Sequence, residues 1–374
     1  MGPILLVVSA DTRRDAALGP RRDYALLGQR FGADVVDRGA VEADPLARAL
    51  SRAAGYPLAL ALLAWRRRRG HAAIFADGEH VGLPLAFLLR LSRAREPLVV
   101  IGHRVSARKK RPFFTRLRLH ERIGTLVLHS PRQLEIAERE LGVPRERLAL
   151  VPYQVDTEFW CPDPETPREP LVVAVGLEHR DYATLTRAVV GSPARVVIAA
   201  GSHWARSQAQ AAGPLPGNVS VGRYDYQELR ALYARASVVV VPLVETDFQA
   251  GITSILEAMA MACPVIVTLT SGRSDVVRDR RAQLRASALP TTIDQAAPPR
   301  LPNGFYVAPD DAGHLRAAID YLLAHPAEAR ALGENGRAFV SAELTVEGYV
   351  GRLADVLTAV SDAADDAAAA TSAA

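Results

Sequence analysis

Short runs of aliphatic and β-branched residues alternate with longer stretches of helical periodicity from one end of the chain to the other. The runs predict strands at 4–8, 33–37, 72–76, 98–102, 125–129 and 148–151, then at 171–175, 195–200, 218–221, 237–243, 264–269 and 304–307. Between them, segments such as 83–93 and 131–141 place apolar residues three and four apart, the spacing of one helix face. Strand, helix and strand in this repeated order give a parallel sheet covered by helices on both faces. The expected fold class is α/β.

The pattern breaks once. CPDPETPREP (161–170) has prolines at 162, 164, 167 and 170, which continue neither a helix nor a central strand. The chain therefore divides into a first Rossmann-like domain over 1–160, a linker over 161–170 and a second Rossmann-like domain over 171–342. Two doubly wound domains facing a cleft present to it the loops beyond the carboxyl ends of their strands. A helix over 343–360 spaces Tyr349, Val350, Leu353 and Leu357 along one stripe. Residues 280–302, rich in Pro, Ala and Thr, predict an excursion loop, and the low-complexity tail 361–374 predicts disorder.

Composition narrows the function classes. A chain of 374 residues buries a core without disulfides or metal. Lys+Arg 45 against Asp+Glu 41 gives +4, too small an excess for a nucleic-acid stripe, so no nucleic-acid partner is expected. Arginine supplies every cation except Lys109 and Lys110. Cys161 and Cys263 form no ligand-spaced cluster, which excludes a disulfide scaffold and a cysteine zinc site and fits a reducing cytoplasm. The run Ile4 to Val8 is too short for a signal peptide's core, and YPLALALLAW (56–65) is about half a bilayer span. A soluble, cytoplasmic protein is expected.

The most informative window is VPLVETDFQAGITSILEAMAMACPVIVT (241–268), where a buried strand, a polar loop and a helix from about Ile252 follow one another. Gly251 lets a ligand approach the backbone. The amides from Gly251 through Ile252 to Thr253 carry the positive end of the helix dipole, which suits a phosphate or diphosphate. Thr253 and Glu257 share one helix face, a hydroxyl for the anion and a carboxylate for ribose hydroxyls. Taken alone, the window is explained as well by an ordinary strand–loop–helix unit with a solvated Glu257.

The same window resembles the retaining glycosyltransferases of family 4, which have the GT-B fold. Glu257-Ala-Met-Ala260 is similar to the second member of that family's carboxylate pair, and the first member falls on Gln249. Glu245 and Asp247 stand nearby at the wrong spacing. VPYQVDTEFWCP (151–162) resembles the segment closing the family's first domain, with Gln154 in place of a glycine. VGLEHRDYATL (175–185) resembles the first loop of the donor domain. Gly176 is kept, Leu177 replaces an arginine, and Arg180 falls where a lysine belongs. NVSVGRYDYQELRALYARASVVVVP (218–242), with Arg223 and Tyr224 at its turn, resembles the border of the nucleobase. SGRSDVV (271–277) and NGFYVAPDD (303–311) follow in order, so the resemblance covers most of 140–340.

The first half is less distinctive. SADTRRDAALGPRRDY stands where the family often has a glycine-rich loop. His103 follows a buried strand, where the family places a histidine beside the transferred sugar; a structural histidine is the alternative. Asp77 and Glu79, in DGEHVGLPLA (77–86), are acceptor-side candidates, as are Lys109 and Lys110. His129 and His203 belong to no constellation. RRRR (66–69) and RKKRPFFTRLRL (108–119) join cations to apolar flanks, which fits a solvated surface or peripheral contact with an anionic membrane.

The resemblance implies a retaining transferase that moves a sugar from a UDP-, GDP- or ADP-linked donor to a hydroxyl of a glycan, a lipid-linked molecule or a small molecule. With no Asp-x-Asp element, no metal and no cofactor beyond the nucleotide sugar are expected. Arg180 and the helix amides would then stabilise the departing diphosphate, Glu257 would hold ribose, and Gln249 and His103 would position the sugar. The resemblance also implies that the C-terminal helix crosses back to the first domain. The rival readings are an epimerase or phosphorylase on the same fold, or a non-catalytic sugar-nucleotide-binding partner.

Overall fold

In a computed structural model, which describes residues 2–12, 19–200, 214–273, 275–279 and 301–373, the aliphatic runs form twelve strands among those residues. β1 (Ile4–Val7), β2 (Asp34–Val36), β3 (Ala73–Ala76), β4 (Leu98–Gly102), β5 (Thr125–Leu128) and β6 (Leu148–Leu150) make one parallel sheet in the order β2-β1-β3-β4-β5-β6. β7 (Glu169–Val175), β8 (Arg195–Ala199), β9 (Val219–Gly222), β10 (Ala236–Val241), β11 (Val265–Thr268) and β12 (Gly304–Val307) make a second, in the order β12-β11-β10-β7-β8-β9. Each expected strand is present within two residues of its predicted ends.

The chain divides into two units, Met1–Pro152 with Val346–Ala374, and Tyr153–Thr345. In the first unit, Leu5 and Val7 pack into one apolar layer and Ile4, Leu6 and Val8 into another. Helices cover both faces of the strand, so its sequence reads as a continuous apolar run. One layer contains the helices Tyr56–Arg67 and Glu79–Leu91. The other is closed by the helix Val346–Ala373, whose Tyr349, Val350, Leu353 and Leu357 are buried with Ile4, Phe75 and Ile101.

Three boundaries differ from expectation. The units part at Pro152 and Tyr153 rather than near 160, and the proline-rich segment belongs to the second unit. Trp160 is buried there, edge-on to Tyr233 at 5.6 Å, and Arg337 donates to the carbonyls of Thr157 (3.0 Å) and Trp160 (2.7 Å). Proline forbids regular structure but leaves such anchors free to pack. The last helix starts at Val346, because the preceding helix Pro326–Glu343 ends in the second unit, where Val155 N–H donates to Leu344 O at 2.9 Å. It then continues to Ala373 through residues expected to be disordered, since alanine has the highest helix propensity. Most of the predicted excursion loop, 280–300, lies outside the described residues.

Each sheet order has one place where the chain reverses its direction of winding. In the first unit it lies between β1 and β3, and in the second between β7 and β10. Loops leaving the carboxyl ends of those strands diverge there and leave a crevice for ligand.

Candidate functional site

In the second unit, the loop after β7 pairs with the loop after β10. Asp181 N–H donates to Pro242 O (3.0 Å) and Val244 N–H to His179 O (3.1 Å). Between them lies Arg180, 4% exposed. Its Nε–H donates to Val175 O at 2.8 Å, Nη1 to Glu178 O at 2.7 Å and Nη2 to Ser254 Oγ at 3.3 Å. A guanidinium has five N–H groups, so two are left without a bond among the described residues. Burial lowers its pKa, opposed by the fields of Tyr182, Tyr233, Glu178 and Glu257. Arg180 fits because two neighbours lack side chains. A Cβ on Gly176 would lie 2.2 Å from Nη2, and one on Gly251 would lie 2.6 Å from a Val241 methyl and 3.5 Å from both Nη atoms. Both glycines also have positive φ, 110° and 75°.

Gly251 caps the helix Ile252–Ala260, on which Thr253 is exposed and Ile252 half-buried. Glu257, one turn on, is buried and accepts a hydrogen bond from the Tyr233 hydroxyl at 3.2 Å. Tyr233 is itself fully buried, and burial together with Glu257 raises its pKa well above the usual phenol range. It therefore donates rather than ionises. Gln249 is half-buried, and its Oε1 has no hydrogen-bond partner among the described residues. Glu245 does not substitute for a carboxylate at 249, because Ser271 donates to it from N–H (2.9 Å) and Oγ (2.6 Å). Arg223 is exposed, and the Tyr224 ring lies over Gly222, where a Cβ would come within 2.9 Å of it.

The first unit gathers a polar group at its own crevice. Ser9, directly after Val8, donates from N–H (2.6 Å) and Oγ (2.8 Å) to the Asp77 carboxylate. Ser9 Oγ also lies 2.7 Å from His80 Nε2. The serine's one proton goes to Asp77, so His80 Nε2–H is the donor of that contact. His103 Nε2–H donates to Asp77 O at 2.8 Å, which leaves its Nδ1 lone pair to accept when the ring is neutral. Sequence reasoning missed Ser9 and His80, as it missed Tyr233 and Ser254.

Glu79 does not face an acceptor as expected. It is 2% exposed and accepts from the backbone N–H of His103 and of Arg104 (both 3.0 Å) and from the Lys110 ammonium. Burial alone would raise its pKa, but Lys110, His103 and those bonds outweigh it and hold the carboxyl at about 2. Lys110 is spent on this pair, whereas Lys109 is exposed. His203 lies outside the described residues. Among the described residues no group of three or more His, Cys, Asp and Glu is placed to hold a metal ion.

His129 also has a defined role. Its Nδ1–H donates to Val151 O at 2.8 Å, and its ring lies 5.7 Å from His103 and 5.8 Å from Tyr349. Burial pushes its pKa down from 6.5 to about 4. Between those values the unfolded chain binds a proton that the folded chain does not. Stability is therefore full above pH 6.5 and is lost as pH falls towards 4, by about 3 kcal/mol. Urea titrations at several pH values should show this slope, and His129→Gln, which keeps a donor, should flatten it. An unchanged slope in that variant would assign the acid sensitivity elsewhere.

Residues 182–325 match the family model described as Glycosyl transferases group 1. That match lies within the second unit. No curated protein matches the sequence. Among solved structures, sucrose-phosphate synthase from Thermosynechococcus elongatus is similar with a TM-score of 0.70 at 20% identity, covering 97% of this chain and 100% of that one. A glycosyltransferase from Rickettsia africae aligns with a TM-score of 0.68 at 13% identity, over 96% and 98% of the two chains. The Anabaena protein HepE, in complex with UDP and glucose, gives 0.66 at 15%, over 96% and 100%. The chain has the two-domain α/β fold of these proteins, the GT-B fold.

Proposed function

We propose that the chain is a retaining glycosyltransferase that moves a sugar from a nucleoside-diphosphate donor to an acceptor hydroxyl without a metal ion. The observation that carries this reading is the crevice between β7 and β10, where Gly176 and Gly251 make room for a buried Arg180 bonded to Ser254, one helix turn before Glu257. The family match over 182–325 supports glycosyl transfer as the reaction class. UDP in the Anabaena structure makes a UDP-sugar the first donor to try, ahead of GDP- and ADP-sugars.

In this reading Glu257 anchors ribose, and Arg223 and Tyr224 border the base. The two unspent N–H groups of Arg180 and the amides from Gly251 to Thr253 meet the diphosphate as its charge develops. Gln249 contacts the sugar through its carbonyl and amide, without charge. The acceptor, a glycan, a lipid-linked molecule or a small molecule, is received by the first unit at Asp77, His80 and His103. It attacks from the face the diphosphate leaves, which retains configuration.

Purified protein incubated with labelled UDP-, GDP- and ADP-sugars, with and without cell extract as acceptor source, should consume one donor only when acceptor is present. Change of donor alone would select an epimerase, and a requirement for phosphate a phosphorylase. Glu257→Ala should lower nucleotide affinity roughly tenfold to a hundredfold in calorimetry, the worth of a charge-assisted hydrogen bond. Unchanged affinity would remove Glu257 from the site. Gln249 and Leu177, which stand where the resembling family has a carboxylate and an arginine, favour one second reading, a sugar-nucleotide-binding partner. Nucleotide binding with no turnover under any condition would select it.

A further inference from the structure

We propose that one face of the first unit, formed by the end of the helix Glu79–Leu91 and the segment 108–118, docks on an anionic lipid bilayer. The helix buries Val81, Leu85 and Leu89 and leaves Phe87 (47%) and Leu91 (74%), four residues apart, exposed on one side. In the neighbouring segment Phe114 is buried, while Phe113 (39%) and Leu117 (43%), again four apart, are exposed. Arg90 Nη1 donates to Leu117 O at 2.6 Å and holds the two segments side by side. Single exposed apolar residues are ordinary, but four on two joined segments make a patch.

The charge around that patch is one-sided. Residues 87–119 contain ten Lys and Arg and a single acid, Glu96, which pairs with Arg68 at 3.3 Å. The whole chain carries only +4, so the rest of it is net negative and the positive charge is segregated here. Lys110, Arg111 and Arg118 are paired with Glu79, Glu140 and Glu121. Arg93, Arg95, Arg108, Lys109 and Arg116 are exposed and form no salt bridge among the described residues.

Apolar side chains ringed by long cationic ones match the bilayer interface, where the former enter the acyl boundary and the latter reach lipid phosphates. Nucleic acid would use the charge but not Leu91 and Leu117. Among the described residues no helix is long and apolar enough to cross a membrane, so the contact is peripheral.

Flotation of the full chain with vesicles tests the proposal. Binding is expected to phosphatidylcholine vesicles containing phosphatidylglycerol, not to phosphatidylcholine alone, and should weaken at high salt. Lys109→Ala/Arg116→Ala should bind about 25-fold more weakly, at about fivefold per cation. Leu91→Ser/Phe113→Ser should lose about tenfold or more. Arg195→Ala/Arg330→Ala, which removes two exposed cations of the second unit, should bind as the parent does. The proposal is overturned by equal binding to neutral vesicles, by no vesicle binding, by equal loss in the control variant, or by capture of RNA in preference to vesicles.

Discussion

Replacing Glu79 with glutamine or Lys110 with methionine is expected to destabilise the first unit by about 3–5 kcal/mol, the usual effect of removing one partner from a buried ion pair. Glu79 ties three separate points of the loop after β4 to the start of the helix Glu79–Leu91: the amides of His103 and Arg104 and the Lys110 ammonium. Losing the carboxylate strands a cation whose side chain is 17% exposed, and losing the cation strands a carboxylate 2% exposed. The double variant should recover part of the loss, because no unpaired charge is then buried. The acid limb gives an independent reading. With a pKa of about 2 in the folded chain against 4.5 unfolded, the pair's contribution is complete above 4.5 and disappears as pH falls towards 2. Glu79→Gln should lack that limb. Single variants within about 1 kcal/mol of the parent in urea denaturation would mean that the pair behaves as a solvated one.

This pair also marks where sequence reasoning stopped. Two adjacent lysines in an arginine-rich chain suggested a substrate contact, and the structure gives Lys110 a buried partner 31 residues away. The strands were legible because helices cover both faces of the parallel sheets and leave continuous aliphatic runs. The unit boundary was not, since proline reports a break in regular structure and not a break in packing, and Trp160 anchors its segment to the second unit. Gly251 and Glu257 were legible as a strand–loop–helix pattern, and Gly176 through the family resemblance of 175–185. The pairing of Arg180 with Leu243 was not, because it depends on β7 lying beside β10. The pairing of Ser9 with Asp77 was missed for the same reason, although each stands just beyond the end of an apolar run. In the order β2-β1-β3 the ends of β1 and β3 are neighbours, so a polar residue after each was the available signal.

Arg180→Ala is expected to lower the stability of the second unit and its nucleotide affinity together, a result that separates a buried tie from a simple ligand. The guanidinium satisfies Val175 O, Glu178 O and Ser254 Oγ in a site 4% exposed. Each acceptor left unpaired costs about 1–3 kcal/mol, less where water enters, so a loss of about 3 kcal/mol or more is expected in urea denaturation. Its removal also cuts the side-chain tie from the loop after β7 to Ser254 on the helix Ile252–Ala260, which should loosen the backbone at Gly251. Nucleotide affinity should then fall by more than the roughly tenfold to hundredfold assigned to one charge-assisted bond. Arg180→Lys keeps a cation but cannot donate to three acceptors in one plane, so it should restore part of the affinity and little of the stability. An alanine variant that unfolds within about 0.5 kcal/mol of the parent would show that Arg180 ties nothing together.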